Sequence, residues 1–449
     1  MPEGRVTIAE LLASLSRALD LVEGQPQGHC LRTAKIAVRI GQALGMESGP
    51  QSDLFYASVL KDAGCSNNSA RIHFLFGGDD ILFKRGSKFI DWANPVEALK
   101  YGVSNTEVGN SIGLKLLRLS KNFAPPQKVM DEVTAARCNR GAMIAMSLGF
   151  SPDVAKAISQ LDEHWDGRGS PSKLKRDDIS PLAQILCLSQ TLEVFATTYG
   201  AGAAFTMARQ RIGSWFSPEV VAAAACLEGD AQFWERQSES DTLEALRSDL
   251  PESDAMHTAA DIDQVCTAYA SIIDAKSTFT GEHSTRVTKY AVEVATVLGI
   301  QGERLDTLRR AALLHDIGKL GVSNQILDKP GALNDDEFSL VKLHPKHTYE
   351  ILRPITGFER LSEVAAAHHE RLDGKGYWRG LSSDELDLDM RCITVADVFD
   401  ALTARRPYRE PMPLDKVFCV LDDGIGTAFD PDCVAALKHA YSDDSRLAA

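Results

Sequence analysis

At 449 residues the chain is longer than one ordinary core supports, so two or three domains are expected. Its 44% hydrophobic and 24% charged composition is that of folded globular proteins and excludes a disordered or fibrous chain. The formal charge of −14 excludes a surface built for nucleic-acid backbones. The longest uncharged apolar runs, such as Val220 to Leu227, fall far short of the roughly 20 residues a membrane span needs. Nine cysteines with no CxxC pair read as reduced thiols, which together with the missing apolar leader places the chain in the cytoplasm, without membrane insertion.

Taken in chain order, the sequence contains itself twice. GHCLRTAKIAVRIGQALGM, from Gly28, matches EHSTRVTKYAVEVATVLGI, from Glu282, setting His29 opposite His283 at an offset of 254. LKDAGC then meets LHDIGK, with Asp62 opposite Asp316 at the same offset. EHWDGRGSP from Glu163 matches ERLDGKGYW from Glu370 at 207, and IGSWFSPEVV from Ile212 matches IGTAFDPDCV from Ile425 at 213. The fall from 254 to 207 implies 47 extra residues in the first copy, an insertion near 67–126. The acidic stretch 237–260, with LEALRSDL as a short helical candidate inside it, reads as a linker between a domain at 1–236 and another at 261–449.

The apolar spacing is helical in both copies. Val287, Tyr290, Ala291, Val294, Ala295 and Leu298 form a core-facing stripe with His283 one turn before it, and Leu308, Ala311, Ala312 and His315 share another face. Alternation of the strand type is scarce, so the expected architecture is all-α, two tandem helical bundles. Six of the eleven histidines (283, 315, 344, 347, 368 and 369) crowd into the second copy, several beside carboxylates. Imidazole and carboxylate are ligands for Fe, Mn, Zn or Ni, and a carboxylate can bridge two ions where an imidazole cannot. Neighbouring residues on a helix diverge by about 100°, so the His315-Asp316 pair suits two adjacent ions.

His283, His315-Asp316-Ile317-Gly318-Lys319, His344-Pro345, His368-His369-Glu370, Asp373-Gly374-Lys375-Gly376-Tyr377 and Asp397 to Leu402 together resemble the successive signatures of the HD-GYP branch of the HD phosphohydrolases. The resemblance runs from Asp261 to about His439. It implies two tandem HD-like bundles, the first degenerate, and two divalent transition-metal ions (Fe, Mn, Ni or Zn) in the second. His283, His315, Asp316 and Asp397 would hold one ion, and Asp316 would bridge to another on His344, His368 and His369. Phe279 stands where some members carry a third-metal glutamate, so two ions are expected. The catalytic expectation is a hydroxide between the ions, with Asp316 holding them and Lys319 on the scissile phosphate. Gly376, Tyr377, Asp400, Arg406 and Arg409 are expected to contact substrate.

The implied activity is hydrolysis of a bacterial cyclic dinucleotide, cyclic di-GMP to pGpG or GMP first. The alternatives are 3′,3′-cyclic GMP-AMP and a non-catalytic effector that only binds the nucleotide. No nucleic-acid polymer is expected as a partner; a homodimer and signalling proteins docked through the GYP-like loop are. That loop reads Gly376-Tyr377-Trp378, without the proline, and His347 replaces a small residue, read as structural with an extra ligand or a proton shuttle as alternatives. Aligned with the second copy, the first keeps His29 and Asp62 but sets Lys61 against His315, Cys65 against Lys319 and Cys138 against His344. It also sets Leu161 and Asp162 against His368 and His369, and Gln190 against Asp397. A first domain without metal or catalysis follows.

Overall fold

The computed structural model describes residues 7–106, 126–237, 259–277, 281–405 and 410–441. Arg406, Arg409, Phe279 and the LEALRSDL segment lie outside these. The chain divides into two compact units, Thr7–His257 and Thr258–Ala449. Among the described residues there is no named strand, only isolated bridge pairs such as Ile212 with Phe216 and Ile425 with Phe429. No described helix is long and apolar enough to cross a membrane.

In the second unit the helix His283–Val297 is central, packed on Gly302–Leu314, Leu388–Thr403 and Pro431–Tyr441. Its stripe Val287, Tyr290, Ala291, Val294 and Ala295 is buried, as its spacing demands. The helix Leu388–Thr403 starts where Asp387 accepts hydrogen bonds from the amides of Asp389 and Met390. In the first unit His29–Ala43 has the equivalent place, against Ser48–Leu60, Pro181–Tyr199 and Ile8–Val22. Both central helices are entered through a left-handed residue, Gly28 at φ 86° and Glu282 at φ 61°. Glycine adopts that conformation freely, whereas Glu282 bears a steric cost.

The copies share tertiary details as well as sequence. A Cβ on Gly318 would come within 2.0 Å of the His344 carbonyl oxygen, and one on Gly64 within 2.0 Å of the Arg137 carbonyl oxygen. Asp274 accepts from the amide and hydroxyl of Ser284, and Asp20 from the amides of Gly28 and Cys30. Glu370 collects the amides of Arg379, Gly380 and Leu381, and Glu163 those of Ser172 and Leu174. The described part of the insertion forms the helices Ser69–Phe76, Asp80–Ser87 and Pro95–Ser104. They close over Ile72, Leu75, Phe76 and Phe83, packed on Met130 and Val133.

Candidate metal centre

Six elements of the second unit deliver the histidines and carboxylates to one buried spot. His283 opens the central helix; His315 caps Gly302–Leu314, and Asp316 begins the 3-10 turn after it. His344 opens the helix His344–Leu352, with Pro345 at its first turn, where a missing amide hydrogen costs nothing. His368 and His369 follow the end of Glu359–Ala366, and Asp397 projects from the middle of Leu388–Thr403. His315, His344 and His368 are 0% exposed and Asp316 1%.

Asp316 is shared between two sets of imidazoles. Its Oδ2 lies 3.4 Å from Nε2 of His283 and of His315. Its Oδ1 lies 3.4 Å from Nε2 of His344 and 3.6 Å from Nε2 of His368. Asp397 Oδ1 faces His283 at 3.5 Å and His315 at 4.0 Å, while its Oδ2 is 3.9 Å from His369 Nδ1. The ligand atoms of His283, His315 and Asp397 lie within 4.8 Å of one another, as do those of His344, His368 and His369.

The outer nitrogens fix how the rings point. Nδ1 of His315, His344 and His368 each donates to a carbonyl three residues earlier, of Ala312, Val341 and Ala365, at 2.7 Å. A carbonyl only accepts, so each Nδ1 bears the proton and each Nε2 turns a lone pair inward. The Nε2 atoms of His344 and His368 then face one another at 3.0 Å with no proton between them. His315 Nε2 and Asp316 Oδ1 are buried without a hydrogen-bond partner. Lone pairs converging on one point, beside a buried carboxylate oxygen with no donor, require a cation. The donor set therefore fits divalent transition ions.

Protonation follows the same layout. Burial drives His344 well below its ordinary pKa, with Lys319 adding to the effect, and takes His368 to about 3. Both stay neutral, as ligands must. Burial also lowers His283, but hydrogen bonds to Asp316 and Asp400 outweigh it and carry the ring up to about 9. Burial would raise Asp316, yet Lys319 and His315 hold it well below the carboxylate range.

All seven expected ligands thus meet in one place. Lys319 stands beside them with Nζ 2.6 Å from Asp316 Oδ2 and its side chain 24% exposed. The Tyr377 ring lies over His369, with centroids 4.7 Å apart. Gly376 packs against the backbone of His369, Glu370 and Arg371, where a Cβ would come within 2.5 Å of Glu370 Cα; its size matters to the loop's return. Asp400 corrects its expected role as a substrate contact. It is 1% exposed, with one oxygen 2.7 Å from His283 Nδ1 and the other 2.6 Å from Arg286 Nε. It orients the first histidine from behind. Arg286 was missed because a lone arginine on a helix carries no motif. His347 belongs to none of the ligand groups.

At the corresponding place in the first unit, protein cations stand in for ions. Lys61 donates to His29 Nε2 at 2.9 Å and to Asp62 Oδ2. Lys88, from the insertion, reaches Asp62 at 3.4 Å, Glu23 at 2.9 Å and Gln190 at 3.0 Å. Behind His29, Glu193 takes its Nδ1 and the Arg32 guanidinium, the counterpart of the contact made by Asp400. The counterpart of His344 is Arg137 and not Cys138, because the carbonyl against Gly64 is that of Arg137. Glu23, Asp62 and Cys65 do form a close trio. Burial, with Glu23 and Asp62 nearby, pushes the Cys65 thiol far up, and the lysines already neutralise both carboxylates. A protonated thiol is no metal ligand.

A family model described as HD domain matches residues 123–220 and 267–433, spanning parts of both units. The chain is similar to the 3′3′-cGAMP-specific phosphodiesterase 3 of Vibrio cholerae, 41% identical over 438 residues, which cover 97% of this chain and 95% of that protein. A cyclic di-GMP phosphodiesterase response regulator of Xanthomonas campestris is 41% identical over 154 residues, 34% of this chain and 41% of that protein. Among solved structures, a cyclic GMP-AMP specific phosphodiesterase of V. cholerae superposes with a TM-score of 0.69 at 36% identity. It covers 98% of this chain and 100% of that one.

Proposed function

We propose, for a chain that belongs to the HD-domain family, a metal-dependent phosphodiesterase in the second unit that opens a bacterial cyclic dinucleotide. The observation that carries this reading is Asp316, whose two oxygens face separate pairs of imidazoles with inward lone pairs. His283, His315, Asp316 and Asp397 would hold one ion, and Asp316, His344, His368 and His369 a second. Two divalent ions there, Fe, Mn, Ni or Zn, would supply the acidity that activates a water near neutral pH and the charge that binds phosphoryl oxygens.

The chain's own residues do the remaining work. Burial keeps His344 and His368 neutral, and backbone carbonyls hold the tautomers of His315, His344 and His368. Lys319, a quarter exposed at the rim, can turn its ammonium from Asp316 to a phosphoryl oxygen and offset charge that grows in the transition state. Tyr377 supplies an aromatic wall beside His369 for a base or ribose. Of the two substrates, 3′,3′-cyclic GMP-AMP is favoured over cyclic di-GMP. The relative matching along both units bears the first name, whereas the Xanthomonas protein named for cyclic di-GMP matches about a third of the chain.

Metal analysis of the purified chain, with chromatography of products from both dinucleotides, tests this. The wild type should contain two ions per chain and cleave cyclic GMP-AMP faster, and Asp316→Ala should lose both metal and turnover. A metal-loaded wild type that binds either dinucleotide but cleaves neither would establish an effector instead.

A further inference from the structure

We propose that the first unit holds a metal-free binding site for a nucleoside monophosphate, in a cavity of about 140 Å³ built on the vestige of the duplicated centre. Cys65, Arg137, Asp162 and Gln190 all line this cavity. They are the counterparts of Lys319, His344, His369 and Asp397, so the wall that gathers ligands in the second unit here encloses open space.

The chemistry of the lining selects a phosphate joined to a planar ring. Lys84, Lys88, Arg137 and Arg168 bring four cations against the carboxylates of Glu23, Asp131 and Asp162. Two buried polar atoms on the wall, Arg137 Nε and His164 Nδ1, have no hydrogen-bond partner. The Arg137 guanidinium is paired with Asp162, and its unused Nε donor suits a phosphate oxygen. The His164 ring is stacked on Trp215 at 4.1 Å, and the Arg211 guanidinium covers Trp215 at 3.8 Å. A nucleobase extends such a stack. Burial holds His164 neutral, with a pKa near 4, so its ring can share a hydrogen bond with a base edge. A cavity of about 150 Å³ takes one aromatic ring. The space here therefore takes one ring, leaves the rest of a mononucleotide toward the exposed side by Arg168, and excludes a whole cyclic dinucleotide. The proposal is independent of which dinucleotide the second unit cleaves.

The full-length chain should be titrated with GMP, AMP, guanosine and inorganic phosphate, following tryptophan fluorescence. A mononucleotide is expected to give a saturable change that guanosine and phosphate do not match. Arg168→Glu, on a side chain 57% exposed and paired with Asp166, should weaken binding about tenfold or more. Asp131→Asn, which removes a negative charge from the wall, should tighten it. Both changes lie in the first unit, so binding confined to the second unit would leave all three proteins alike. Equal affinity in the three, no saturation in the millimolar range, or phosphate binding as well as the nucleotides would each overturn the proposal.

Discussion

At the residue scale, His283 of the candidate centre is held by side chains behind it. Asp400 fixes the tautomer of His283 and is itself pinned by Arg286, so it acts through the histidine. Asp400→Asn keeps the shape but not the charge. It should weaken metal affinity by about 10–100-fold, the usual cost of losing a carboxylate behind a ligating histidine. Competition against a coloured chelator measures this, and unchanged affinity would show that Asp400 is only packing. The residues that converge on Asp316 were legible because His-Asp, His-Pro and His-His occur as adjacent letters. The role of Asp400 was not, since a carboxylate three residues after Asp397 reads equally as a rim contact. Only its burial and the direction of its two oxygens separate these readings.

At the scale of elements, the crossing of the 3-10 turn with the helix after it sets the position of His344. That crossing needs Gly318, because a methyl group would run into the His344 carbonyl, and Gly64 makes the same demand against Arg137. Gly318→Ala and Gly64→Ala should each destabilise their own unit by about 1–3 kcal/mol or more, the range for overpacking a tight contact. Gly318→Ala should also lower metal content. Denaturant melts of the two variants test the equivalence, and a neutral result at either glycine would break it. Helical periodicity showed the central helices and the stripe from Val287 to Ala295. It could not register the helix that carries Arg137: matching letters paired Cys138 with His344, one residue off. Nor could it foresee Lys88, which arrives from an insertion with no partner in the second copy.

For the whole molecule, duplication was legible from the offsets, and the structure adds what each copy did with the inheritance. The second unit without ions keeps buried lone pairs that face one another, so its stability should track bound metal. Ligand linkage at about 1,000 times the dissociation constant amounts to roughly 4 kcal/mol. Excess chelator should therefore lower one thermal transition of the full chain and leave the other in place. In Asp316→Ala the sensitive transition should start low and no longer respond. Calorimetry with and without chelator decides the matter, and movement of both transitions would mean that the first unit also binds metal.

The ammonium of Lys61 between His29 and Asp62 has one more consequence. A charge carried on the polypeptide cannot be leached, exchanged for a competing element or oxidised. Starvation for transition metals should therefore silence one half of the chain while its sibling stays folded.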